Sequence, residues 1–503
     1  MKICFFMQRR FALVANEMAR QLQQKYPDTK ICGYVQTRSS FNFITKQNNV
    51  IYTKLLLDED INALYKKEKL DLNFLKKMEL EYLQSNLWSH VELDRIIRHN
   101  QLVREYPYNT PRYSHEDMLK ILQVTIKNIL NFLDKEKPDV VIFSVIGALS
   151  SSLLYCIAKA KHIPVYIITP ARVDKLYTLT SSYKKFTEVE KIFANIKEGS
   201  ESHFAKDREK ALKFLRAFRD TPAPYAKTDS IKNRPINKRK QFKFLLPKNA
   251  LRSLQWLNTL TYQYIKDRHK TDYSTIKPWY FFIDKIKQKI RVLTIHSNLY
   301  HEVRLTDNFA FFPLQVEPEI STMLYAPFFT DQLWLAKQIA KSLPIDFKLY
   351  IKEHPAMYGK RPKKFYTELK KIPNLRLIKP SVVSFDLIQN AKLVTVISST
   401  VGWEALMLHK PVITFGDVFF NKLPGVQKCE AITDLPNIIK ERLAMNNHDE
   451  QLLINYITAL YHESVTVDMI DIWEIEGGGR LKERAQELES LVELIAQKIG
   501  LQR

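Results

Sequence analysis

Between Phe309 and Gly416 short apolar runs recur, and each stops abruptly at a polar cluster. Phe309–Leu314 gives way to Gln315, Phe347–Lys352 to Glu353-His354-Pro355, Leu393–Ile397 to Ser398-Ser399-Thr400, and Pro411–Phe415 to Gly416. A further short run covers Leu375–Ile378. Helical patterns at Phe329–Leu343, Ser384–Asn390 and Trp403–Leu408 lie between these runs. Strands alternating with helices build a parallel sheet covered on both faces. Such sheets hold ligands at the carboxyl ends of their strands, where these polar clusters fall.

The start of the chain repeats the pattern. Ile3–Met7 reads as a strand, Phe11–Tyr26 as a helix and Ile31–Val35 as a second strand. Phe11, Val14, Ala15, Met18 and Leu22 keep helical spacing. Asp58 to Phe132 reads as mostly helical. A strand at Asp139–Phe143, a helix at Ser150–Lys161 and a strand at Val165–Thr169 follow. From Leu435 the pattern is helical to Arg503, with a break at Gly477-Gly478-Gly479. The resulting α/β chain has two doubly wound, Rossmann-like lobes, at 1–225 and 299–445. A basic helical linker or insertion (226–298) separates them, and C-terminal helices (446–503) are free to cross back.

Net charge is +23 over 503 residues, and it is unevenly spread. Between Lys227 and Arg291 stand 17 Lys or Arg against four Asp. Such a block seeks anions. It is interleaved with Phe242, Phe244, Leu245, Leu246, Leu251 and Trp256, the pattern of a segment lying on an anionic membrane leaflet. A solvated Lys-rich insertion fits the pattern equally. Nucleic acid is not the expected partner, because no recognition motif accompanies the charge and carboxylates stand at the strand ends. No run of about 20 apolar residues occurs. The basic residues Arg9 and Arg10 follow the first apolar run rather than precede it, unlike a signal peptide. The expected location is therefore cytoplasmic, with peripheral contact at the inner membrane face as the alternative to free solution. Cys4, Cys32, Cys156 and Cys429 are scattered, so neither disulfides nor a zinc site is expected.

Four clusters carry chemistry. In Gln315-Val316-Glu317-Pro318-Glu319-Ile320-Ser321-Thr322, two carboxylates lie one residue apart beyond a buried strand, a costly placement without a task. In Lys352-Glu353-His354-Pro355 the proline confines His354 to extended geometry, and Lys352 shares its face. Ser398, Ser399 and Thr400 open a helix whose N–H groups suit phosphate oxygens. Glu404, one turn later, is placed to accept hydrogen bonds from a ribose diol. Asp58-Glu59-Asp60 is formally a metal-binding pattern, but it sits in a charged helical stretch, and no metal is expected.

These residues resemble the capsule polysaccharide biosynthesis family, which includes retaining β-Kdo transferases of the GT-B fold. The resemblance rests on Q-V-E-P-E-I-S-T at 315–322, K-E-H-P at 352–355 and S-S-T-V-G-W-E-A at 398–405. The His-Pro followed by Ser-Ser is also similar to the GT-B sialyltransferases. The resemblance implies a CMP-activated 2-keto-3-deoxy acid sugar as donor and no separate cofactor. It implies Glu319, with Glu317 beside it, as the reacting carboxylate, where the family commonly carries Asp. It implies His354, Lys352, Pro355, Ser398, Ser399 and Thr400 around the CMP phosphate, and Glu404 on the ribose. Gln315, Ser321 and Thr322 would line the donor sugar. A glycan or lipid-linked glycan acceptor would meet the first lobe near Gln8, Arg9, Arg10, Ser144 and Arg172. A transferase using a UDP or GDP sugar, and a non-catalytic capsule assembly or export protein, are the competing expectations.

Overall fold

A computed structural model describes residues 1–82, 86–100, 111–196, 201–225, 242–243, 246–295, 297–445, 449–469 and 485–501. The chain forms two compact units. The first comprises Met1–Arg98, Pro111–Ala217 and Glu450–Arg503, and the second His99–Thr110 and Phe218–Asp449. The basic stretch after 226 is thus grouped with the second unit, and the final stretch from Glu450 with the first.

The first unit opens with β1 (Lys2–Met7), β2 (Lys30–Val35), β3 (Tyr52–Leu57), β4 (Val140–Phe143), β5 (Val165–Pro170) and β6 (Leu176–Thr180). Strands β1 to β5 are mutually parallel; β6 runs antiparallel to β5. Ile3 through Met7 are all buried, as expected of a strand covered on both faces. Helix Phe11–Lys25 packs its buried Val14, Met18 and Leu22 into one face of this core. Helix His115–Glu136 starts at a capping box in which Ser114 and Asp117 satisfy each other's backbone N–H.

The second unit is a six-stranded, all-parallel sheet. It contains β7 (Phe309–Pro313), β8 (Lys348–Lys352), β9 (Leu375–Ile378), β10 (Leu393–Val396), β11 (Val412–Thr414) and β12 (Val426–Lys428). The helix expected from Phe329 begins at Gln332, where the Asp331 side chain accepts from Trp334 N–H at 2.9 Å. The helix expected from Trp403 begins a turn earlier, at Thr400, because Ser399 Oγ caps Val401 N–H at 3.2 Å.

Besides β12 of the second unit and a helix at Arg38–Lys46, the sequence pattern missed three features of the first unit's sheet. β3 precedes the helical stretch and extends the parallel sheet. β6 is a short antiparallel addition. The C-terminus is not helical throughout. After helices Leu435–Ala444 and Glu450–His462, Ser464–Thr466 forms β13, antiparallel to β6. Its β-branched Val465 and Thr466 suit an edge strand better than a helix end. Helix Glu489–Lys498 then buries Leu491, Val492 and Ile495 in the first unit's core. The expected break at Gly477–Gly479 lies outside the described residues. All four cysteines are free thiols.

Candidate active site

In the second sheet the order is β12-β11-β10-β7-β8-β9. The chain lays β8 and β9 on one side of β7, then crosses to place β10, β11 and β12 on the other. The switch point lies between β7 and β10, where a doubly wound sheet opens a crevice. The loops after β7, β8 and β10 meet there, and hydrogen bonds tie them together.

The central tie was not foreseen from the sequence. Arg361 is 0% exposed. Its Nε donates to Glu317 Oε1 at 3.0 Å and its Nη2 to the Gln315 carbonyl at 2.8 Å, while Nη1 pairs closely with Glu353. Burial alone works against the guanidinium charge, but Glu317 and Glu353 outweigh it and raise its pKa. Tyr366 OH donates to the other Glu353 oxygen at 2.8 Å. Gln332 completes the set: Nε2 reaches Glu317 at 2.5 Å and the Gln315 carbonyl at 3.1 Å, and Oε1 accepts from Gln315 N–H at 2.7 Å.

This separates the two loop carboxylates. Both oxygens of Glu317 are engaged inside the unit by Arg361 and Gln332. Glu319 is half-exposed and stands at the N-cap of the short Ile320–Met323 helix. Its carboxylate accepts only from Ser321 Oγ, at 3.2 Å, among the described residues. Of the pair, Glu319 is the one available to a ligand. Thr322 is buried, with its hydroxyl on the Glu319 carbonyl at 3.0 Å.

At the end of β8, Lys352 is buried and donates to Ser384 Oγ at 2.7 Å. Burial pulls its pKa down to about 8, with Asp386 opposing. His354 keeps the extended geometry expected before Pro355. Its Nδ1 accepts from Ala356 N–H at 3.1 Å. Burial, then Arg361, Lys352 and Lys360, lower its pKa to about 4. At neutral pH the ring is uncharged with its proton on Nε2, so it is a neutral donor rather than a cation.

At the end of β10, Ser398 Oγ bonds closely to the Ser321 carbonyl, joining this turn to the Glu319 loop. With its amide oxygen turned inward, Gln315 accepts from Ser399 N–H at 2.7 Å and Ser398 N–H at 3.1 Å. Val401 N–H goes to Ser399 Oγ and Gly402 N–H to the Ser399 carbonyl. The open row of amides expected here is therefore mostly satisfied within the chain. Gln315 acts as a brace, and the Thr400 N–H has no such partner among the described residues. Glu404 is only 6% exposed, and burial raises its pKa to about 8. Among the described residues its carboxylate has no hydrogen bond and no ion pair. A buried carboxyl without donors is costly, and a ligand offering hydroxyls relieves that cost.

In the first unit, Met7, Val35 and Leu57 pair across β1, β2 and β3. One residue beyond, Gln8, Gln36 and Asp58 stand in a row along the carboxyl edge. Ser144 follows β4, on the other side of β1. The amide oxygens of Gln8 and Gln36 and the hydroxyl of Ser144 are buried without a hydrogen-bond partner among the described residues. Asp58 is buried, with Tyr34 and Ser150 donating to it at 2.8 Å each. Burial raises its pKa to about 7, opposed by those two donors. Arg9 and Arg10 are exposed, and Arg172 lies beyond β5. Gln36 escaped the sequence reading, which weighed Asp58 only as part of a metal-binding pattern. Continuing the strand register by one residue is the signal that places both on this edge.

Residues 248–463 match the capsule polysaccharide biosynthesis protein family. Over 126 residues the chain is 34% identical to Protein FixF of Sinorhizobium fredii, covering 24% of this chain and 29% of that protein. The chain thus spans under a third of that curated relative. Among solved structures it is similar to the β-Kdo 2,7 transferase KpsC of Thermosulfurimonas dismutans, at 14% identity and TM-score 0.36, covering 73% of this chain and 89% of that one. It is also similar to the UDP-GlcNAc 2-epimerase of Methanocaldococcus jannaschii, at 14% identity and TM-score 0.28, covering 91% and 98%. Both units are α/β with largely parallel sheets, as the sequence pattern leads one to expect. The matched segment 248–463 holds the whole β7–β12 sheet and its polar strand ends, so the similarity to the capsule polysaccharide biosynthesis protein family covers this unit of the chain.

Proposed function

We propose that the protein is a glycosyltransferase that moves a 2-keto-3-deoxy acid sugar from its CMP donor to a bacterial surface glycan. Kdo and the nonulosonic acids (sialic, pseudaminic, legionaminic) share the required carboxylate and ketal carbon. The observation that carries the reading is Glu404, a buried carboxyl without donors, one turn into the helix behind Ser398-Ser399. A ribose diol supplies two donors to it. The phosphate would then lie toward His354 Nε2–H, the Thr400 N–H and Lys352. CMP carries one phosphate, so these groups suffice in this reading without a metal.

In the reaction the bond from the anomeric carbon to the phosphate oxygen breaks, and CMP leaves with the electron pair. The anomeric carbon becomes oxocarbenium-like, and Glu319 stabilises that charge or bonds to the carbon transiently. The acceptor hydroxyl oxygen then bonds to the carbon, any bond from Glu319 breaks with its electron pair returning to the carboxylate, and the hydroxyl proton passes to the released phosphate or to solvent. Glu317 is the positioning partner, held by Arg361. The first unit's Gln8, Gln36, Ser144 and Asp58 would hold glycan hydroxyls. Among the described residues no helix is long and apolar enough to cross a membrane. The reading places the protein in the cytoplasm, at the inner membrane face through its basic region.

A thermal-shift panel tests the donor. Stabilisation by CMP or CDP, but not UDP or GDP, is expected, and no response to cytidine nucleotides overturns the reading. Mass spectrometry after incubation with CMP-sugars identifies the sugar. Binding without transfer or hydrolysis would instead favour a non-catalytic assembly role.

A further inference from the structure

Helices Pro247–Lys266 and Pro278–Thr294 form a hairpin. Trp256 meets Phe281 edge-on at 5.9 Å, and Tyr264 meets Trp279 at 6.0 Å. No residue of the first helix is buried. Leu254, Trp256, Ile265, Trp279, Phe282 and Ile290 are all exposed, Ile265 at 68%. So dense an apolar display is unfavourable in water and marks a surface that something covers.

The charge identifies the cover. Between Leu246 and Arg291 stand ten Lys or Arg against three Asp. Several cations lie over the aromatic rings: Lys266 over Tyr262 at 4.4 Å, Lys270 over Tyr264 at 4.6 Å and Lys277 over Trp279 at 5.5 Å. Aromatic bodies with cationic tips suit the boundary between acyl chains and anionic headgroups. A second copy of this face would bring like charges together. We propose that the hairpin is a docking surface for an anionic lipid bilayer, lying in the plane of the interface with its apolar side chains inserted. This deepens the peripheral-membrane part of the reading above and is independent of the donor's identity.

The hairpin is also joined to the candidate active site. Arg291 bonds closely to the Lys360 carbonyl. Gly359, at φ +74, leaves room for the second helix: a Cβ there would fall 2.4 Å from Val292 Cγ2. The helix therefore sits on the loop between His354 and Arg361, and a docked hairpin would fix that loop relative to the membrane surface.

Flotation of the full chain with phosphatidylcholine vesicles, with and without phosphatidylglycerol, tests the proposal. Floating with the anionic vesicles, at least roughly tenfold above the neutral ones and falling with salt, is expected. Trp279→Ser with Phe282→Ser and Ile290→Ser should abolish flotation while leaving any nucleotide-induced thermal shift intact. Lys248→Glu with Arg252→Glu and Lys285→Glu should abolish the phosphatidylglycerol preference. The proposal is overturned if the wild type stays unbound with anionic vesicles or floats equally on neutral ones. It is also overturned if the apolar substitutions leave flotation intact or dissociate a dimer instead. Loss of the cytidine response with flotation retained would count against the donor assignment alone.

Discussion

The carboxyl edges of the two sheets handle polar groups in opposite ways. In the second unit, Arg361 and Gln332 satisfy Glu317, Glu353 and the Gln315 backbone, and Gln315 in turn braces the Ser398-Ser399 turn. The exception is Glu404. In the first unit, Gln8, Gln36 and Ser144 leave buried polar atoms unpaired. Under the proposed function, a braced edge with one unsatisfied carboxyl suits a donor that must be held in one pose. Under the same proposal, an edge with several unsatisfied groups suits a hydroxyl-rich acceptor that would supply the missing bonds.

The comparison breaks first at Arg361. Arg361→Met strands two carboxylates, so urea unfolding should show a loss of about 3–5 kcal/mol. A loss below about 1 kcal/mol would mean the brace is not holding the loops. Glu319→Gln should leave unfolding unchanged within about 0.5 kcal/mol yet cut transfer by about 10²–10³-fold. Wild-type turnover would remove Glu319 from the reaction.

Glu404→Gln sharpens the contrast through pH. Glu404 ordinarily titrates near 4.5 and is pushed up to about 8 in the fold. As pH rises through that window, the unfolded chain ionises while the folded one does not, so the wild type loses stability. The Gln variant escapes this loss. Its melting temperature should match the wild type near pH 4.5 and exceed it near pH 8, by the equivalent of roughly 1–3 kcal/mol. It should also lose the cytidine response, and retention of that response excludes Glu404 from ribose binding. The smallest effect is expected in the first unit. Gln36→Leu removes a buried amide oxygen that has no partner among the described residues and should be neutral or up to about 1 kcal/mol stabilising, while raising the acceptor KM of the proposed reaction. A destabilisation matching that of Arg361→Met would show that the two edges do not differ.

The strand ends were legible because each apolar run stops where its polar cluster begins, as at Lys352-Glu353-His354 and Ile397-Ser398. Glu317 and Glu319 could not be told apart, because the cation that distinguishes them lies 44 residues away. Arg361 belongs to no pattern of spacing. The short strands β6 and β13 escaped because each takes its identity from its partner rather than from its own few residues. The hairpin was visible as charge interleaved with apolar residues, but which side chains stay exposed depends on how the two helices pair.

The tautomer of His354 has a consequence for turnover. With Nδ1 committed to Ala356 N–H and the pKa near 4, the ring would offer the phosphate of the proposed donor a hydrogen bond from Nε2 without a net charge at neutral pH. A released nucleotide is then not held by an imidazolium, which favours its departure. In the proposed function, a fall in rate between pH 7 and 6 would then be expected to come from another group.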